Sequence, residues 1–169
     1  EGNLEALFDP DSPSEVYDQH LNVTREWIGR DAPDAAHFLS AHLDASELPE
    51  QTQKRNEMLF QWAAGEWARK DSLEATDWIA SLPEGPQREL AWEAAKQPLN
   101  RDRPDLGFEL ALQWSHGPDR LNDLSTSLQA TRDRIGPPAA EALLASRQLS
   151  PDERSTLQAK LQQTKEENP

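Results

Sequence analysis

The sequence predicts an all-α fold, and three observations carry the prediction. β-Branched residues are scarce while Ala, Leu, Glu, Gln and Arg dominate, a composition that suits helices better than strands. Apolar positions recur three and four residues apart, as in Leu59, Ala63 and Trp67, and are echoed by Leu143, Leu144 and Leu149, with no window alternating as a strand would. Pro and Gly stops recur along the chain, so the helices are short and must pack on neighbours to persist.

The elements follow in order. Residues 1–13 hold Asp-Pro and Ser-Pro pairs and are expected as a flexible N-terminal segment, with residues 162–169 as a flexible, polar C-terminal tail. The opening "EGNLEALFDPDSPSE" reads as a segment that follows a removed leader or linker. Residues 14–161 are expected as a single helical-repeat domain, a size sufficient for one core.

Four segments align within it: "REWIGRDAPDAAHFLSAHL", "GEWARKDSLEATDWIASLP", "KQPLNRDRPDLGFELALQW" and "ATRDRIGPPAAEALLASRQL". In each, a helix ends near a basic residue, a turn follows at Asp31, Asp71, Asp102 or Gly136, and a second helix begins near Asp34, Glu74, Asp105 or Ala139. Asp31, Asp71 and Asp102 are expected to cap the second helices, and Pro33, Pro104 and Pro137 or Pro138 sit where a first turn tolerates them. Further stops at Leu48-Pro49, Leu82-Pro83, Gly117-Pro118 and Ser150-Pro151 each lead into a charged helix that contains Arg55, Arg88, Arg120 or Arg154. The second-helix starts lie 40, 31 and 34 residues apart, a spacing of helical solenoids, and imply about nine helices in about four pairs. A short α-solenoid is the preferred arrangement and a closed helical bundle the alternative.

Charge narrows the function. The balance of 17 basic against 31 acidic residues, a net −14, repels phosphate backbones and anionic headgroups, so nucleic-acid and membrane-surface roles are disfavoured and a basic or neutral protein or peptide partner is favoured. The bland account, that acidity maintains solubility, stands beside it. A mean hydropathy of −0.87 requires a large solvated surface. No cysteine is present, which removes disulfides, thiol catalysis and cysteine-ligated metals. No stretch approaches the length of a membrane span.

The pattern W-A-x-x-D-x-x-x-A-x-x-W-I-x-x-L-P, carried by Trp67-Ala68, Asp71, Ala75, Trp78-Ile79 and Leu82-Pro83, resembles tandem helical repeats of bacterial envelope and secreted proteins. It is also similar, broadly, to tetratricopeptide and HEAT-type scaffolds. The match covers one unit of about 20 residues, with Trp27, Asp31, Asp34-Ala35-Ala36 and Phe38 as a partial second. The resemblance implies a binding or scaffolding role with no catalytic residues to carry over; it leaves the compartment open and favours the bacterial periplasm or envelope only slightly over the cytoplasm.

Candidate chemistry is thin. His37 and His42 lie five residues apart and project about 140° from each other on a helix, so they do not share a metal, and His20 and His116 are isolated. "DPDSPSE" at 9–15 has the acids of a calcium loop without its glycine turn, and Asn22-Val23-Thr24 fits a glycosylation pattern at a helical position. No nucleophile elbow or phosphate loop occurs, and no cofactor is implied. Trp27, Trp67 and Trp78 are expected in the core, while Trp114 near a helix end is undecided. Trp62 lies about 120° from the centre of the apolar stripe, on a face with Arg55 and Met58, and Arg88 with Trp92 would extend that face in the next unit. Trp, Arg and Met concentrate interface energy, so Arg55, Met58, Trp62, Arg88 and Trp92 are the expected partner-binding residues of a non-catalytic scaffold. A second core face is the competing account of Trp62. A helical accessory domain of an enzyme and a self-associating structural spacer are the alternative functions.

Overall fold

The computed structural model describes the backbone over residues 14–43, 50–146 and 148–167, and side chains over 21–43, 50–146 and 148–162. Among the described residues the chain is all-α, with no strand. The helices are α1 (Ser14–Arg30), α2 (Ala32–Leu43), α3 (Glu50–Lys70), α4 (Ser72–Ser81), α5 (Pro86–Asp102), α6 (Pro104–Trp114), α7 (Arg120–Arg134), α8 (Pro137–Leu144) and α9 (Pro151–Glu167), with a 3-10 turn at Gly117–Asp119. The segment expected to be flexible at 1–13 lies outside the described residues. Within the tail expected at 162–169, α9 continues as far as Glu167, since its Gln, Lys and Glu residues favour helix and no proline intervenes before Pro169.

The pairs α1/α2, α3/α4 and α5/α6 share one junction. A single residue, Asp31, Asp71 or Arg103, separates the two helices. Its N–H donates to the carbonyl four residues back, at Trp27, Trp67 or Leu99, and its own carbonyl accepts from Ala35, Ala75 or Gly107 four residues on. One residue therefore closes one helix and opens the next, with the chain turning through extended backbone at Asp71 (φ −142°, ψ 93°). Only a small side chain suits the donating position, where the second helix crosses close to its partner: Ala35 and Ala75 are fully buried, and a Cβ on Gly107 would stand 2.8 Å from Asn100 Oδ1. The fourth junction, Ile135 and Gly136, uses two residues, with Gly136 in the left-handed region at φ 122°. Second helices thus start at Ala32, Ser72, Pro104 and Pro137, 40, 32 and 33 residues apart.

The capping expectation holds for two of three aspartates. Asp31 Oδ1 accepts from the Asp34 N–H at 3.2 Å and Asp71 Oδ1 from the Glu74 N–H at 3.0 Å. Asp102 does not cap: it is the last residue of α5, and its carboxylate is held by Arg101 at 2.7 Å. The N-cap position of α6 falls to Arg103, which has no accepting side chain, and Pro104 at the first turn compensates by needing no N–H partner.

The expected single domain over 14–161 divides into two compact units, residues 1–95 and 96–169, with the boundary inside α5. In the first unit α3 packs on α2, α4 and α1. Its core contains Ile28, Leu39, Phe60, Trp67, Trp78 and Ile79, and Trp67 and Trp78 stack with ring centroids 4.9 Å apart, as expected for the core. Trp67 Nε1 donates to Glu74 Oε2 at 3.1 Å, which satisfies the indole across the junction. Trp27 is only half-buried and meets Phe38 edge-on at 5.5 Å, so the first pair is a looser version of the second. Gly65 of α3 comes so close to α5 that an added Cβ would lie 3.1 Å from the Ala94 carbonyl oxygen. That oxygen has no helical donor four residues on, because position 98 is proline.

In the second unit α7 is central and packs on α6, α8 and α9. Leu124, Leu128, Phe108 and Leu157 are buried there. Polar groups are paired beside them: Lys96 Nζ and Ser115 Oγ both reach Asp123 Oδ2, at 2.7 and 2.5 Å, and Ser127 Oγ donates to Asn100 Oδ1 at 2.6 Å. Removing Lys96 would take its cationic partner from the largely buried Asp123 carboxylate, a cost of up to about 3 to 5 kcal/mol.

Candidate partner-binding face

α3 presents two different faces because its apolar residues are unevenly spaced. Leu59, Phe60, Ala63, Ala64, Trp67 and Ala68 are buried, together with Thr52 and Asn56, and they occupy one side of the helix. Met58 and Trp62, one turn apart, fall on the opposite side and remain 49% and 41% exposed. Val23 and Leu73 of the same unit are also exposed, but Met58 and Trp62 are one turn apart on one helix and so form a contiguous apolar pair.

The neighbouring helix completes the face. Arg25 of α1 lies over the Trp62 ring, with Cζ 5.6 Å from the centroid, a cation–π arrangement that orients the indole while leaving it accessible. One turn beyond Trp62, Glu66 accepts from Arg69 Nε at 2.8 Å and lies 3.9 Å from Lys70. The hydrogen bond from Arg69 holds the Glu66 carboxyl below its usual range. Lys70 also donates to the Gly29 carbonyl at 2.5 Å and ties the ends of α3 and α1 together. The exposed apolar pair therefore stands on a braced two-helix platform.

The structure separates the five residues expected to bind. Met58 and Trp62 are exposed side by side. Arg55, a turn before Met58, is half-buried. Trp92 is 4% exposed and belongs to the interior, so it does not extend the face; α5 turns that side of its helix inward, which periodicity alone does not fix. Arg88 is committed elsewhere, donating through Nε to the Leu82 carbonyl at 2.9 Å and through Nη2 to the same oxygen. It closes the C-terminus of α4, where carbonyls lack helical donors.

That role recurs. Arg120 Nη1 donates to the carbonyls of Leu112 and Ser115 at 2.8 and 3.1 Å while its Nε binds Glu153 at 2.7 Å, and Arg154 Nη2 donates to the Ser146 carbonyl at 2.8 Å. Three of the four arginines that follow an interhelical stop, Arg88, Arg120 and Arg154, are thus clamps reaching back over the end of the preceding pair. The recurrence was visible in the sequence; its purpose was not, because the carbonyl it seeks belongs to another helix. Arg25 gave no signal at all, since only the packing of α1 on α3 brings it to Trp62.

Acidity is equally uneven. Residues 1–95 carry 20 acidic and 7 basic side chains, a balance of −13, whereas residues 96–169 carry 11 and 10, a balance of −1. The Met58–Trp62 face therefore belongs to the strongly acidic unit. Among the described residues no group of three or more His, Asp or Glu could hold a metal ion, and no helix is long and apolar enough to cross a membrane. Compared with protein-family models, curated proteins and solved structures, the chain has no significant match.

Proposed function

We propose that this chain is a non-catalytic helical-repeat scaffold that binds another protein or a peptide through the α1/α3 face of its first unit. The observation that carries the reading is the exposed Met58–Trp62 pair, stacked by Arg25 and braced by the Glu66, Arg69 and Lys70 network. A partner seated there buries the indole and thioether, worth about 1.5 to 3 kcal/mol for each large side chain fully withdrawn from water. The balance of −13 on the same unit favours a partner with basic residues around an apolar anchor, with the charges accelerating encounter and the anchor setting residence.

The test is capture from source cells with the natural chain and with a Met58→Ala, Trp62→Ala variant of unchanged helicity, followed by titration of the purified partner. The expected result is a stoichiometric partner whose affinity falls at least about tenfold in the variant and weakens with salt. Recovery of the same proteins by both chains, with equal affinity, rejects this face.

A further inference from the structure

The seam between α8 and α9 is underfilled. α2 packs along α3 and α6 along α7, but α8 has only eight residues and meets α9 sparsely. α9 contributes Leu157 as a fully buried side chain and Leu161 as a half-buried one, too little apolar volume to close the gap. A cleft of about 370 Å³ remains in the second unit, floored by α7 and walled by α8 and α9. That volume lies within the range of small-ligand sites, about 300 to 1,000 Å³.

Its lining combines an apolar wall with one cationic donor. Ala140 and Leu144 of α8 face the cleft with Leu161 of α9, and Arg132 of α7 lines it beside the amide of Gln158. Arg132 donates through Nη1 to the Leu161 carbonyl at 2.7 Å, and its Nε stands 3.4 Å from Asp133. Those two interactions fix the guanidinium and leave Nη2 without a partner among the described residues. A fixed, planar guanidinium with a spare N–H edge matches the oxygens of a carboxylate or a phosphate, and a single cation beside an apolar wall favours the singly charged carboxylate. The unit's near-neutral balance of −1 opposes an incoming anion far less than the −13 of the first unit.

We propose that this cleft is a second binding site, for an aliphatic carboxylate whose charged end meets Arg132 and whose chain packs on Ala140, Leu144 and Leu161. The site is independent of the Met58–Trp62 face. Its ligand is either a free medium-chain acid or the C-terminal carboxylate of a peptide ending in an aliphatic residue.

The test titrates the full chain, followed by amide NMR shifts, with octanoate, with acetyl-Ala-Ala-Leu carboxylate, and with the same peptide as its amide. Saturable shifts clustered on residues of α7, α8 and α9 with either carboxylate support the site, and the one that binds identifies the source. The amide should bind at least about tenfold more weakly, and Arg132→Gln should lose about as much. Glu141→Gln, an exposed position on the cleft wall that leaves the fold undisturbed, should bind octanoate or the peptide carboxylate several-fold more tightly by removing a like charge. Absence of saturable shifts with both carboxylates, equal binding of the amide, or Glu141→Gln binding no tighter than the natural chain overturns the proposal.

Discussion

Arg120 illustrates how much one side chain can organise. Its guanidinium holds the end of α6 through the Leu112 and Ser115 carbonyls and the start of α9 through Glu153, while its own backbone begins α7. Glu153 is engaged twice, because its Oε2 also accepts from the Ser150 N–H at 2.8 Å while Ser150 Oγ accepts from the Glu153 N–H at 3.2 Å. This reciprocal cap is the Ser-x-x-Glu box that begins many helices. The Ser150 N–H first, and Arg120 after it, lower the Glu153 carboxyl beneath the usual glutamate value of 4.5. A carboxyl lowered in the folded chain binds fewer protons there than in the unfolded chain, so its stabilisation is complete above pH 4.5 and disappears as the pH falls further. Urea midpoints of the natural chain should therefore drop as the pH falls below about 4.5, and Glu153→Gln should flatten that part of the profile. Glu66, lowered by the hydrogen bond from Arg69, adds to the same slope, and Asp105, lowered from 3.8 by the hydrogen bond from Arg103, adds to it below that pH.

At the scale of the element, the one-residue junction decides which caps matter. Asp71 satisfies an otherwise orphaned N–H, so Asp71→Ala should cost about 1 kcal/mol of stability. Asp102, which looks equivalent in the sequence, is a helix-end residue paired with an exposed arginine, and Asp102→Ala should change stability by only a few tenths of a kcal/mol. Denaturant titration of the two variants side by side checks both values. The contrast also marks how far the sequence could be read. Helix pairs, their spacing and the burial of Trp67 and Trp78 depend on local chemistry, caps and prolines and three-to-four periodicity, and were legible. The exposure of Trp62, the burial of Trp92 and the clamping by Arg88 depend on which neighbour covers which side of a helix. Periodicity gives the existence of two faces without assigning either to solvent.

Over the whole molecule the main inequality is electrostatic, and it makes the two units respond differently to ions. Self-repulsion among 20 acids and 7 bases weakens the first unit, whereas 11 and 10 nearly cancel in the second. Raising salt from about 10 mM to 150 mM shortens the Debye length from about 30 Å to 8 Å. Amide hydrogen exchange of the intact chain should therefore show a larger gain of protection within residues 21–95 than within 96–162. Equal gains would mean that the acids are spaced too widely to repel. The junctions bear on the molecule in another way, through the lengths that descent or engineering can alter. Asp71 is shared by the hydrogen-bond ladders of two helices, and one inserted residue would swing everything after it by about 100°. The loop at Pro83–Gly85 carries no such shared ladder, and Gly85 already occupies φ 136°. Additions and deletions belong between pairs, where among the described residues no residue is shared by two ladders, so a graft or a tag should enter there while each pair is inherited as an indivisible block.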